Sequence, residues 1–187
     1  MNKAKVISKV AILGVLFFSA GSLAAQIPAG LPAGSLTESI PVSDVTGPYK
    51  GERICYVCDF ESLPNVLAFV SNPSDDAAKM IVDLNRLYLK HKARNFKAVV
   101  MVMAGNSSKK WLEDLNRNEK LEIPLTYFTK GPKDAALRVY KLNPEVTTFL
   151  VTVNRLVEVN ISGITSEEFG QVADATEVMM AGKKAKP

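Results

Sequence analysis

Residues 98–104 read AVVMVMA, a continuous apolar run of strand length. A strand without alternating polar residues is typical of the middle of a sheet that is covered on both faces. A second apolar run, VLAFV, lies at residues 66–70, and the segment between the two runs has helical spacing. The order strand, helix, strand therefore predicts the centre of an α/β domain.

The helix between these strands is predicted over residues 74–92. Its start reads Asn-Pro-Ser-Asp-Asp at residues 72–76, which combines a capping side chain, a first-turn proline and two acids near the positive helix end. We therefore interpret Asp75 and Asp76 as capping residues and not as a catalytic pair. His91 falls at the basic end of the helix, where we expect a solvated surface residue.

The rest of the chain continues the alternation and then changes to a hairpin. A helix from Ser107 or Ser108 to about Asn118 precedes an extended piece at 123–125 and a short helix at 134–140. Strands are predicted at 147–153 and 157–161, joined by a turn at 154–155. A last helix opens near Thr165 with Glu168 as the capping partner, and its buried face should include Phe169, Val172 and Met179. This order predicts a mixed sheet with helices on both faces.

The first 25 residues have the order of a secretory signal peptide. Lys3, Lys5 and Lys9 precede the apolar run VAILGVLFFSA at residues 10–20, and small residues follow at 21–25. The run is shorter than the roughly 20 residues that a membrane anchor needs. We therefore expect cleavage near residue 25, a periplasmic or secreted protein, and no stable membrane insertion afterwards.

The remaining chain is predicted to hold a single folded domain. Residues 26–43 are rich in proline and glycine, with the near repeat IPAG and LPAG, and predict a flexible arm. The domain should span 44–182 and begin with the turn-forming segment DVTGPYKG at 44–51. Residues 183–187 form a basic tail that we expect to be frayed.

Charge argues against a general affinity for nucleic acid. The chain of 187 residues has a formal net charge of +4, but three of its 23 basic residues lie in the leader. The others nearly balance the 19 acidic residues, so no basic surface is predicted. The sequence leaves the oligomeric state open.

Three segments together resemble the thioredoxin-like proteins, and within them the redoxin and peroxiredoxin branch. They read IPLT from residue 123, AALRVY at 135–140 and TTFLVTVNRLV at 147–157. The segment DVTGPYKG followed by CYVC is also similar to bacterial secreted redoxin-like proteins. The resemblance covers roughly residues 44–180 and implies a three-layer α/β/α sandwich with a central mixed sheet.

The resemblance also has two departures. Thioredoxins place their reactive Cys-x-x-Cys directly after the first core strand, whereas the equivalent residues 71–75 here are Ser-Asn-Pro-Ser-Asp. The family's cis-proline position matches Val146, which is non-proline as in peroxiredoxins. A thioredoxin-type substrate groove is therefore not expected from sequence.

Cys55 and Cys58 are the only cysteines in the chain, and two residues separate them. This spacing brings two sulfurs within bonding distance and fits a redox-active dithiol, a static disulfide or half of a tetrahedral metal site. Two unpaired thiols are disfavoured in an oxidising compartment. Lys50 and Arg53 favour a thiolate, but the acids at 59 and 61 oppose it, so local charge does not separate these readings.

The function expected from the sequence is thiol–disulfide exchange and cell redox homeostasis through Cys55 and Cys58. By analogy Cys55 is the attacking thiol and Cys58 resolves the mixed disulfide. The expected partners are protein thiols or disulfides, with no cofactor and no resident metal. The alternatives are a non-catalytic binding or scaffold protein with a structural disulfide, and a copper carrier.

Overall fold

The computed structural model describes residues 29–182, which contain seven strands and five α-helices. In chain order they are β1 (Val42–Asp44), β2 (Arg53–Ile54), α1 (Tyr56–Phe60), β3 (Asn65–Val70), α2 (Asp75–His91), β4 (Lys97–Val102), α3 (Lys109–Glu119), β5 (Leu125–Tyr127), α4 (Ala135–Val139), β6 (Thr148–Val153), β7 (Leu156–Ser162) and α5 (Gly170–Met180). Every strand and helix predicted after residue 64 is present, while β1, β2 and α1 were not predicted.

All seven strands form one mixed sheet in the order β2-β1-β5-β4-β3-β6-β7. Strands β3, β4 and β5 are parallel, and β6, β7 and β1 run antiparallel to their neighbours. The apolar runs of β3 and β4 lie at the centre, where the register pairs Val66 with Ala98 and Val70 with Val102. All residues of β3 are buried, as expected for a strand covered on both faces.

Alternating side chains of β3 divide the interior into two cores. Val66, Ala68 and Val70 point to the face that α2, α3 and α5 cover. Leu67 and Phe69 point to the opposite face, which α1, α4 and residues 31–42 cover. The predicted three-layer α/β/α sandwich with a central mixed sheet is confirmed.

Residues 29–43 pack against the domain and do not form the flexible arm that composition predicts. Their backbone bonds to the hairpin and to the loop after α4: the Thr37 amide donates to the Arg155 carbonyl at 2.8 Å, and the Gly30 amide donates to the Lys141 carbonyl at 2.9 Å. Ile40 and Val42 are buried in the same core as α1. Proline and glycine limit regular secondary structure, but they do not prevent burial of the apolar residues between them. The predicted leader at 1–25 and the tail at 183–187 lie outside the described residues.

The helix starts are present as predicted, but the start of α2 and two other side chains differ in detail. Ser74 caps α2, so Pro73 precedes the helix, and Asp75 and Asp76 lie in its first turn and do not form the cap. Thr165 with Glu168 forms the predicted capping box ahead of α5. His91 is buried, not solvated, because its Nε2 lies 2.8 Å from Glu177 Oε1 on α5 and its ring packs edge-on against Phe96. On α5 the buried methionine is Met180, while Met179 is half-buried.

Within residues 29–182, no helix is both long enough and apolar enough to cross a membrane.

Candidate functional site

Cys55 and Cys58 form a disulfide at the start of α1. Their Cα atoms lie 5.3 Å apart. Cys55 is the N-cap of the helix, and its Sγ accepts a hydrogen bond of 3.1 Å from the backbone N–H of Cys58. The structure therefore joins the two predicted site residues, and the hydrogen bond makes their sulfurs inequivalent.

The two cysteines also differ in exposure. Cys58 is exposed to solvent, whereas Cys55 is half-buried and packs against the core on its face of the sheet. The reason is the position of each residue on the one-and-a-half turns of α1. Tyr56, Val57 and Phe60 point into the core, so residue 58 lies on the outer surface of the helix.

Asp44 holds the loop that leads to this helix. Its buried carboxylate accepts backbone N–H bonds from Thr46 at 3.1 Å, Gly47 at 2.7 Å and Tyr49 at 2.9 Å. A fourth bond comes from the hydroxyl of Tyr56, which donates to Asp44 Oδ2 at 2.6 Å. A buried carboxylate is stable only with such partners. Asp44 therefore ties the 44–51 loop to Tyr56, one of the two residues that lie between the cysteines.

Tyr56 remains a hydrogen-bond donor over the ordinary pH range. Burial raises the pKa of its phenol well above the usual value, and the bond to Asp44 raises it further. Tyr56 also contacts Phe60 and Tyr49 through its ring. The side chain therefore fixes α1 by a buried polar contact and by aromatic packing together.

Gly47 makes the close approach of loop and helix possible. A Cβ atom at this position would lie 2.3 Å from Tyr56 Oη and 2.7 Å from Asp44 Oδ2. Both distances are far inside van der Waals contact. Gly47 is thus required by the Asp44–Tyr56 contact and not only by the turn.

A second tyrosine contact lies on the surface beside the disulfide. The Tyr49 hydroxyl donates to Asp59 Oδ1 at 2.8 Å, and this bond to the carboxylate raises the pKa of Tyr49. Asp59 follows Cys58 directly in the chain and is exposed. The contact fixes a negative charge on the residue next to the exposed cysteine.

Sequence reasoning did not single out Asp44, Gly47, Tyr49 or Tyr56 as parts of the site. The available signal was the aspartate at the head of a Gly-Pro turn, since such side chains bond to amides two or three residues further on. The partner of that turn, Tyr56, could not be identified because the contact depends on how α1 folds back.

The place where thioredoxins carry their cysteines holds hydroxyl groups here. At the end of β3, the backbone N–H of Ser71 donates to Thr147 Oγ1 at 3.2 Å, and the two side-chain hydroxyls lie 3.1 Å apart. Residues 71–75 contain no thiol. Helix α1 lies on the face of the sheet opposite to α2, so the Cys pair does not take the place of the missing cysteines at the start of α2.

Residues for a metal site do not converge within the described part of the chain. No group of three or more histidine, cysteine, aspartate or glutamate side chains is placed to hold an ion in residues 29–182. His91, the only histidine in the sequence, contacts Glu177 and Phe96 on the α2 side of the sheet.

The fold is similar to that of solved redox proteins. A candidate protein disulfide isomerase from Bacteroides thetaiotaomicron superimposes with a TM-score of 0.64 at 12% identity, over 83% of this chain and 95% of that one. Peroxidoxin BcpB from Mycobacterium tuberculosis gives 0.62 at 17% identity, over 83% and 99%. A candidate thiol:disulfide interchange protein DsbE from Chlorobium tepidum gives 0.58 at 15%, over 78% and 98%.

No protein-family model matches the chain, and no curated protein matches it in sequence. The chain has the fold of the thioredoxin-like class, and the solved structures that it matches include a peroxidoxin and a candidate thiol:disulfide interchange protein. The expected fold resemblance is thus confirmed. The Cys-x-x-Cys disulfide fits this class, although it lies on a different element from the usual one.

Proposed function

We propose that this protein is a thiol–disulfide oxidoreductase that exchanges its Cys55–Cys58 disulfide with thiols or disulfides of partner proteins. One observation carries the proposal: the only Cys-x-x-Cys pair of a thioredoxin-like chain forms a disulfide whose Cys58 is exposed. Exchange requires a thiolate to reach a disulfide sulfur directly, so a buried bridge would not serve.

The surroundings of the pair support this reading. Three buried side chains that are not part of the disulfide, Tyr56, Val57 and Phe60, pack α1 on the core. Asp44 fastens the helix through Tyr56. The helix is therefore expected to keep its place when the disulfide opens. An enzyme that cycles between dithiol and disulfide needs such a support, because the pair must close again in the same geometry.

The reduction potential of the pair tests the proposal. The full chain without its leader would be equilibrated in glutathione or dithiothreitol buffers, and the thiols counted by mass spectrometry after alkylation. We expect a value within about −120 to −270 mV, the range of known oxidoreductases. A value below about −300 mV would identify a structural bridge and contradict the proposal.

The competing function is a binding or scaffold protein that has the fold without the chemistry. The absence of any thiol at residues 71–75, beside Ser71 and Thr147, favours it. It predicts that Cys55→Ala with Cys58→Ala leaves the biological role intact. A folded double variant with a phenotype as severe as a full deletion would exclude this alternative.

We also propose that the protein acts after export, in the periplasm or outside the cell. The support is the order of charged, apolar and small residues in the predicted leader, and an oxidising compartment would keep the pair in the disulfide state that the structure holds. Cell fractionation together with the intact mass of the mature chain tests this. A chain that keeps residue 1 and stays in the cytosol would contradict it.

A further inference from the structure

We infer that Cys58 is the cysteine that forms the mixed disulfide with the partner, and that Cys55 is the sulfur that leaves and later recloses the bridge. This inference rests on the proposed function. It reverses the order expected from the resemblance, in which the first cysteine of the pair attacks.

Access to the two sulfurs is the first argument. An incoming thiolate must reach the sulfur that it attacks, and access limits the rate of exchange. Cys58 is exposed on the outer surface of α1, whereas Cys55 is half-buried against the core beside Ile54. A protein partner, whose own thiol projects only slightly from its surface, therefore reaches Cys58 more easily than Cys55.

The leaving group is the second argument. When Cys58 is attacked, the electron pair of the broken bond stays on Cys55 Sγ. That sulfur accepts the N–H of Cys58 at 3.1 Å in the closed disulfide, and such a bond strengthens when the acceptor becomes an anion. A stabilised thiolate has a lower pKa and leaves faster.

The charge beside Cys58 is the third argument. Attack at Cys55 would expel Cys58 as a thiolate next to the carboxylate of Asp59, which the Tyr49 hydroxyl holds in place. A neighbouring negative charge disfavours a second anion. Stabilisation of the Cys55 thiolate and destabilisation of the Cys58 thiolate therefore both favour attack at Cys58.

The chemistry balances with a dithiol partner as the reductant. A partner thiolate forms a bond to Cys58 Sγ, the Cys55–Cys58 bond breaks, and Cys55 becomes the thiolate. The partner's second thiolate then attacks the partner sulfur that is bonded to Cys58. This attack closes the partner's disulfide and expels Cys58 as a thiolate. Two electrons pass to the pair, the partner gains a disulfide, and the two protons lost by its thiols reach the cysteines through solvent.

Single-cysteine variants of the full chain without its leader test the order, because the residue that carries the mixed disulfide is the same in both directions. Cys55→Ser and Cys58→Ser would each be mixed with glutathione disulfide, and the glutathione adduct followed by mass spectrometry. Each rate would be divided by the thiolate fraction taken from its pH dependence, because only the thiolate attacks. We expect the Cys58 thiolate of Cys55→Ser then to form the adduct at least about tenfold faster than the Cys55 thiolate of Cys58→Ser. Equal rates, or a faster Cys58→Ser, would overturn the inference.

The wild-type chain supplies a measurement that does not depend on the variants. Its disulfide would be opened with reduced glutathione, quenched with acid at early times, and alkylated under acidic conditions to block the free thiol. Trypsin then releases both cysteines in the peptide 54–79. Fragmentation between the cysteines then locates the glutathione, which we expect on Cys58. Glutathione on Cys55 would overturn the order while leaving the oxidoreductase intact, whereas a pair that resists reduction would refute both.

Discussion

At the scale of single residues, the contact between Asp44 and Tyr56 is the feature on which the site depends most. It joins a loop of turn-forming residues to the helix that carries the disulfide. Because the carboxylate is buried, each donor that it loses leaves part of a charge without a partner.

Tyr56→Phe tests this contact. The variant removes a buried hydrogen bond to a charged group, so we expect the free energy of unfolding to fall by about 1.5–3 kcal/mol. The matched control is Tyr49→Phe, which removes the exposed bond to Asp59 and should leave stability unchanged within error. Urea unfolding of both variants measures the difference. An equal loss in the free energy of unfolding would show that the buried bond to Asp44 contributes no more than the exposed bond to Asp59.

The disulfide itself is expected to add little to stability. It closes a loop of only four residues, for which the chain-entropy model gives about 2 kcal/mol, and α1 is held by three buried side chains. The double variant Cys55→Ala with Cys58→Ala should therefore fold, with a loss of that size and no exchange activity. Circular dichroism and urea unfolding check this. A chain that fails to fold would show that the bridge is structural.

At the scale of whole elements, α2 and α5 are linked at one end by ionisable groups. Glu177 on α5 accepts from both Lys90 and His91 on α2. The Lys90 ammonium, and after it the His91 ring, lowers the pKa of Glu177 below its usual value of 4.5. A depressed pKa in the folded state means that the carboxylate stabilises the fold above the unfolded pKa and loses this effect as the pH falls.

Glu177→Gln tests the link between these helices. We expect the variant to be slightly less stable than wild type at pH 7, by a small amount because the carboxylate is partly exposed. The difference should begin to shrink as the pH falls below about 4.5, where Glu177 of the unfolded chain becomes protonated, and should be lost below the lowered pKa of the folded state. Unfolding curves from pH 3 to 7 give the comparison, with Glu145→Gln, an exposed glutamate, as control. A difference that does not vary with pH would refute the electrostatic account.

At the scale of the whole molecule, the sheet is completed by a segment whose composition predicts disorder. Residues 29–43 lie across the face that α1 and α4 share, and β1 joins the sheet beside β5. The domain therefore begins before residue 44, the boundary expected from the turn signal. Burial of a few apolar side chains outweighs the flexible composition around them.

Ile40→Ala tests the packing of this segment. Ile40 is 1% exposed, and removing most of a buried side chain of this size costs about 2–5 kcal/mol. Leu36→Ala is the matched control, since Leu36 is 66% exposed and a surface change of this kind stays within about 0.5 kcal/mol. Denaturant unfolding separates the two. A flexible arm would make both substitutions equally harmless.

The sequence by itself determined the order of elements from residue 65 onward and hence the class of fold. The reason is that β3 and β4 are buried on both faces, so their residues must be uniformly apolar, and that the helices between them repeat their apolar residues at every third or fourth position. It also singled out Cys55 and Cys58 as a pair whose spacing permits a bond, and the structure joins them in a disulfide.

Only the tertiary structure decided which residues surround that pair and how its two sulfurs differ. The partner of Asp44, the burial of His91 and the packing of residues 29–43 all depend on contacts between segments far apart in the chain. Local periodicity and residue propensity do not specify such contacts. Which side chains bury a given residue depends on the course of the whole backbone. The exposure of Cys58, on which the proposed chemistry depends, is set in the same way by the three residues that turn α1 toward the core.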